Sequence, residues 1–84
     1  MNVSEPHLLV VDDDERLRAL LHRYLTSNGF RVSAAADAAE ARALMKSFAF
    51  DLLILDVMMP GENGLDLTRA IRANSQTPIL LLTA

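Results

Sequence analysis

Along this 84-residue chain, runs of consecutive aliphatic residues alternate with stretches in which apolar residues recur every three or four positions. A run with no polar face reads as a strand buried on both sides, and the three-to-four spacing reads as one face of a helix. The clearest run is Leu52 to Leu55, which ends in Asp56 and a loop closed by Pro60 and Gly61. Leu8 to Val11 is a second strand, ending in Asp12-Asp13-Asp14. Phe30 to Ala35 is a weaker one, small and partly polar, which suits an edge. Ile79 to Leu82, opened by Pro78, is the last and closes on Thr83-Ala84.

Helices fill the gaps. Leu17, Leu20, Leu21, Tyr24 and Leu25 form one apolar face, with Asp13 or Asp14 available as its cap and Asn28-Gly29 as a left-handed stop. Ala41, Leu44, Met45 and Phe48 form the second face, entered through Asp37 and Glu40 at capping-box spacing. The third helix runs from about Gly64 to Ala73 and carries Leu65, Leu67, Ala70 and Ile71. The resulting β-α-β-α-β-α-β order predicts an α/β fold with right-handed crossovers and a mostly parallel sheet.

Composition narrows the function classes. The length allows one small domain, and an apolar fraction of 51% is more than so short a chain easily hides. A net charge of −3 with no basic run argues against nucleic acid or an anionic membrane as a direct partner. Cys is absent, which removes disulfides and thiolate metal sites. Met1 to His7 lacks the apolar core of a signal peptide, and no run reaches the roughly 20 apolar residues of a membrane span, so a cytoplasmic protein is expected.

In a parallel sheet the strands point one way, so Asp12, Asp13, Asp14, Asp56 and Thr83 gather at one rim, where open α/β sheets bind ligands. Helix capping accounts for one of the first acids but poorly for two. Unpaired carboxylates about 4 Å apart repel by roughly 4 kcal/mol at an effective dielectric near 20. A hard divalent cation, Mg²⁺ above all, is the simplest reason for such a cluster. Thr83 could donate to a phosphoryl oxygen. A nucleotide-binding reading fails, because no Gly-rich turn follows the first strand. A phosphohydrolase with an aspartyl nucleophile would commonly place a second acid where this chain has Met58. His7 and His22 read as surface residues. Met58 and Met59 suit either a docking loop or loop packing.

Val10-Val11-Asp12-Asp13, Leu55-Asp56-Val57-Met58-Met59-Pro60-Gly61 with Gly64, and Leu82-Thr83-Ala84 together resemble the receiver domain of two-component response regulators. The resemblance implies a doubly wound, flavodoxin-like sheet of order 2-1-3-4-5. It implies that Asp56 accepts a phosphoryl group from a sensor histidine kinase, with Mg²⁺ held by Asp12, Asp13, Asp56 and the Met58 backbone carbonyl. Thr83 would be the switch hydroxyl and Ala84 the small residue beside it. Output would pass to a further domain or partner, in transcriptional regulation, and the domain would be a switch instead of a turnover enzyme. The alternative is a receiver-like docking or dimerisation module that works without phosphorylation. The fourth helix, the fifth strand with its lysine and the fifth helix of that family have no counterpart in residues 1–84, so a partial domain is expected. Left as such, it should pair or swap elements at the last strand, as a homodimer.

Overall fold

The computed structural model describes residues 5–83. Its elements follow the expected order: β1 (His7–Val11), α1 (Glu15–Ser27), β2 (Arg31–Ala35), α2 (Ala38–Ser47), β3 (Leu52–Asp56), α3 (Gly64–Arg72) and β4 (Ile79–Leu82). The four strands form one parallel sheet in the order β2-β1-β3-β4. That is the implied order over the strands described, with the weakly apolar β2 at an edge.

Strand periodicity divides the core into two faces. Leu9 is aligned with Leu53, Val11 with Leu55, Leu53 with Ile79 and Leu55 with Leu81, so these side chains share a face. They pack with Ala38 and Ala41 of α2 and Leu67 of α3. Leu9, Leu53, Leu55 and Leu67 are fully buried, each worth roughly 1.5–3 kcal/mol of removed apolar surface. Leu8, Val10 and Ile54 are buried on the opposite face, the side of α1.

Helix entries and exits follow local chemistry. The Asp14 carboxylate accepts from the N–H groups of Arg16 and Leu17 and caps α1, which decides between the two candidate caps. Phe30 and Gly29 donate back to the carbonyls of Leu25 and Thr26, a Schellman closure that Gly29 permits at φ 92°. Asp37 caps α2 through the Glu40 N–H, while the Glu40 carboxylate returns to the N–H of Ala36, one residue before the expected partner.

Four sequence expectations need correction. α1 packs against β1 and β2 and holds no fully buried residue; of its stripe, Leu20 and Tyr24 are exposed. Phe48 does not extend the α2 face, because it lies in the extended C-cap. On α3 the buried positions are Gly64 and Leu67, with Ile71 packed beside them, while Leu65 and Ala70 are exposed. His7 is not a surface residue at all. It is 8% exposed, its Nε2 lies 2.8 Å from Ser33 Oγ, and its ring packs against Phe50 and Phe48. His22 is exposed, as expected.

Candidate functional site

The carboxyl ends of β1 and β3 bring three acids together. β1 pairs through Val11 with Leu55 of β3, so Asp12 and Asp56 leave adjacent strands at the same level. Asp12, Asp13 and Asp56 each offer a carboxylate oxygen within 4.8 Å of the others. Asp14 is spent on its helix cap. Three hard oxygen donors at this spacing, none committed to a cationic side chain among the described residues, fit a divalent cation such as Mg²⁺ better than they fit one another.

Asp12 is the buried member, 3% exposed. Its N–H donates to the Ala35 carbonyl at 3.1 Å, and its Oδ1 accepts from the Asp14 N–H at 2.8 Å. Burial raises its pKa above the usual carboxylate value. The Asp14 N–H opposes that shift, and the charges of Asp56, Asp13 and Asp14 add to it. Asp13 is exposed and Asp56 half-buried, so the cluster opens to solvent on one side.

The loop after β3 holds Asp56 in place. Asp56 Oδ1 accepts from the Met58 N–H at 3.1 Å, and Val57 donates to the Leu82 carbonyl of β4. The loop then turns at Gly61, where φ is 76°. Gly64 opens α3 with its N–H on the Val57 carbonyl at 3.1 Å. A Cβ at Gly64 would overlap the Asp56 carbonyl and come within 2.9 Å of Val57 Cα. Only glycine lets α3 approach the end of β3 this closely.

Met58 is 70% exposed and Met59 is buried, so the two share one loop with opposite roles. Thr83 is exposed and directly follows Leu82, the β4 residue aligned with Asp56. Ala84 lies outside the described residues. Sequence reasoning missed Arg18, whose Nη1 donates to the Asp12 carbonyl at 2.8 Å. No sequence signal singles it out, because its partner is a main-chain carbonyl six residues earlier.

Residues 8–84 match the family described as response regulator receiver domain. The chain is 61% identical over 84 residues to Protein PetR of Rhodobacter capsulatus, covering all of this chain and 35% of that protein. It is 47% identical over 77 residues to the transcriptional regulatory protein CpxR of Escherichia coli K12, covering 92% of this chain and 33% of CpxR. The chain thus spans about a third of the length of these curated relatives. Among solved structures, the response regulator protein TrrA of Thermotoga maritima in complex with Mg²⁺-BeF superposes with a TM-score of 0.87 at 39% identity, over 94% of this chain and 70% of TrrA.

Proposed function

The chain belongs to the response regulator receiver domain family, and from that premise we propose that it is a phosphoryl-accepting switch with Asp56 as the phosphoacceptor. The observation that carries this reading is the carboxylate cluster of Asp12, Asp13 and Asp56 at the rim, with Asp56 at the end of a central strand and half open to solvent. An oxygen of Asp56 attacks the phosphorus of a phosphohistidine on a sensor histidine kinase. A P–O bond forms, the P–N bond breaks, and the imidazole nitrogen leaves with the electron pair. The Met58 N–H, already on Asp56 Oδ1, orients the carboxylate for that attack.

Asp12, Asp13 and Asp56 would hold Mg²⁺, with the Met58 backbone carbonyl as a fourth protein ligand. Bound there, the ion would neutralise charge developing on the phosphoryl oxygens. The complex of TrrA with Mg²⁺-BeF supports the assignment by relationship. Thr83 is the candidate switch hydroxyl, one residue beyond the β4 position aligned with Asp56, and Ala84 is the small residue beside it. The domain acts as a cytoplasmic phosphoacceptor that assists its own modification and is not a turnover enzyme. Its relationship to CpxR supports transcriptional regulation through an output domain or partner.

The test is site mapping after treatment with acetyl phosphate and Mg²⁺. Labelling confined to Asp56 and lost in Asp56→Ala is expected. Label on Asp13 in the wild type, or label that persists in Asp56→Ala, overturns the assignment.

A second reading is a docking or dimerisation module that works without phosphorylation. It draws on Leu80 of β4, 52% exposed among the described residues, which a homodimer or swapped assembly joined there would cover. Light scattering on wild type and Asp56→Ala separates the readings. An assembly state independent of Asp56 and of phosphodonor favours the second.

A further inference from the structure

Two polar groups of Asp12 are held by the sheet and by the turn that follows it. Its N–H belongs to the β2 pairing through Ala35, and its carboxylate belongs to the turn through the Asp14 N–H. Its carbonyl, at the point where the chain leaves β1, takes its bond from Arg18 Nη1 at 2.8 Å. Arg18 sits on α1, six residues further along the chain, and is half-buried.

The peptide that begins at the Asp12 carbonyl also carries Asp13. Rotation of that plane would therefore move two of the three clustered carboxylates at once. We infer that Arg18 is a positioning residue for the acidic cluster, fixing the Asp12–Asp13 peptide so that both carboxylates converge with Asp56. This inference rests on the proposed metal-assisted phosphoacceptor reading and adds a residue to it.

Arg18 bonds to a carbonyl and to none of the three carboxylates. Its two possible influences on cation binding therefore have opposite signs. As a nearby positive charge it would compete with a divalent cation, so its removal would tighten binding. As a positioning residue it keeps the ligand oxygens preorganised, so its removal would weaken binding. Partners that orient metal ligands typically matter by about 10–100-fold in affinity. Arg18 acts through the main chain, so the lower end of that range is the expectation.

The experiment is calorimetric titration of the full-length protein with Mg²⁺ alone, comparing wild type with Arg18→Ala, Arg18→Gln, Arg18→Lys and Asp13→Asn. Arg23, exposed on the same helix and without a bond to the cluster, provides the charge control as Arg23→Ala. The expected result is about a tenfold rise in the Mg²⁺ dissociation constant for Arg18→Ala. A rise of the same direction is expected for Arg18→Gln, substantial recovery for Arg18→Lys, and no weakening for Arg23→Ala. If Arg18→Ala does not fold, Arg18→Gln carries the comparison. Unchanged or tighter Mg²⁺ binding in the Arg18 variants, with binding lost in Asp13→Asn, overturns the inference and leaves the site reading standing. Absence of Mg²⁺ binding in the wild type, or equal binding in Asp13→Asn, overturns the site reading itself and the inference with it.

Discussion

At the carboxyl end of the sheet three carboxylates crowd within 4.8 Å of one another, and the most buried of them resists its own charge. At the amino end, His7 is also buried but held by neutral and main-chain partners as well as Asp51. Its N–H donates to Asp51, its carbonyl accepts from the Asp51 N–H, its ring nitrogen meets Ser33 Oγ, and Phe48 and Phe50 enclose its ring. The two ends share strands β1 and β3, so one hydrophobic core supports both. What differs is the remaining demand for a ligand. Among the described residues no buried side-chain polar atom lacks a hydrogen-bond partner, yet the acidic rim still carries repulsion that hydrogen bonds do not remove. The amino end contributes stability; the carboxyl end uses some of it to keep an anionic cluster assembled.

The most disruptive way to break this contrast is at Gly64, where α3 meets the end of β3. Gly64→Ala places a Cβ against the Asp56 carbonyl and the Val57 backbone, neither of which can yield like a side-chain tip. Overpacking of this kind costs typically about 1–3 kcal/mol, and contact with backbone puts the expectation at about 3. Urea unfolding should show that loss, together with a diminished rise in thermal midpoint on adding millimolar Mg²⁺. A variant that matches wild type on both counts would show that α3 slides without moving Asp56.

At the amino end, His7→Ala should cost about 2 kcal/mol, from lost ring packing against two aromatics and the lost Ser33 bond. Its Mg²⁺ response should be that of wild type. His7→Phe should recover most of the packing. A changed Mg²⁺ response in either variant would mean that the two ends are coupled and that the contrast is too sharp.

At the rim the sign reverses. Without Mg²⁺ at pH 7, Asp12→Asn should stabilise the fold, because it removes a buried charge and its repulsion from Asp56, Asp13 and Asp14. The expected gain is on the order of 1 kcal/mol, the scale of one charge pair at about 4 Å in high dielectric. The amide oxygen can still accept from the Asp14 N–H. The same substitution should abolish stabilisation by Mg²⁺. A loss of stability in its place would show that the charge of Asp12 is satisfied in the folded protein.

The two ends are unequally legible in the sequence. Asp12, Asp13 and Asp56 follow aliphatic runs with no polar face, so strand pattern and topology alone bring them together. The burial of His7 escapes sequence reasoning because a single histidine at a strand start carries no periodic signal. Its partners lie 26 and 44 residues away at Ser33 and Asp51. Leu65 and Ala70 of α3 differ from expectation because a nine-residue helix buries a narrower stripe than an apolar count suggests. Gly64 stands out as a motif residue, but its reason, contact with the backbone of Asp56 and Val57, is three-dimensional.

The finest test of the contrast is acidity, because the two buried groups titrate in opposite senses. Burial, helped by the Arg31 charge and opposed by Asp51, lowers the His7 pKa below its usual 6.5. The unfolded chain therefore binds the His7 proton more readily, and stability is lost as pH falls through about 6.5 until the folded histidine also protonates. Asp12 has a pKa raised above its usual 3.8, so its cost is fully present at neutral pH. That cost fades as pH drops through the raised value towards 3.8, where the unfolded carboxyl also protonates. Urea midpoints between about pH 7.5 and 4 should therefore carry a loss from His7 on the neutral side and a gain from Asp12 on the acid side. Subtracting His7→Phe from wild type isolates the first, and subtracting Asp12→Asn isolates the second. If His7→Phe loses as much stability as wild type between about pH 7.5 and 5.5, the proton is taken up elsewhere and His7 is not the group that senses it.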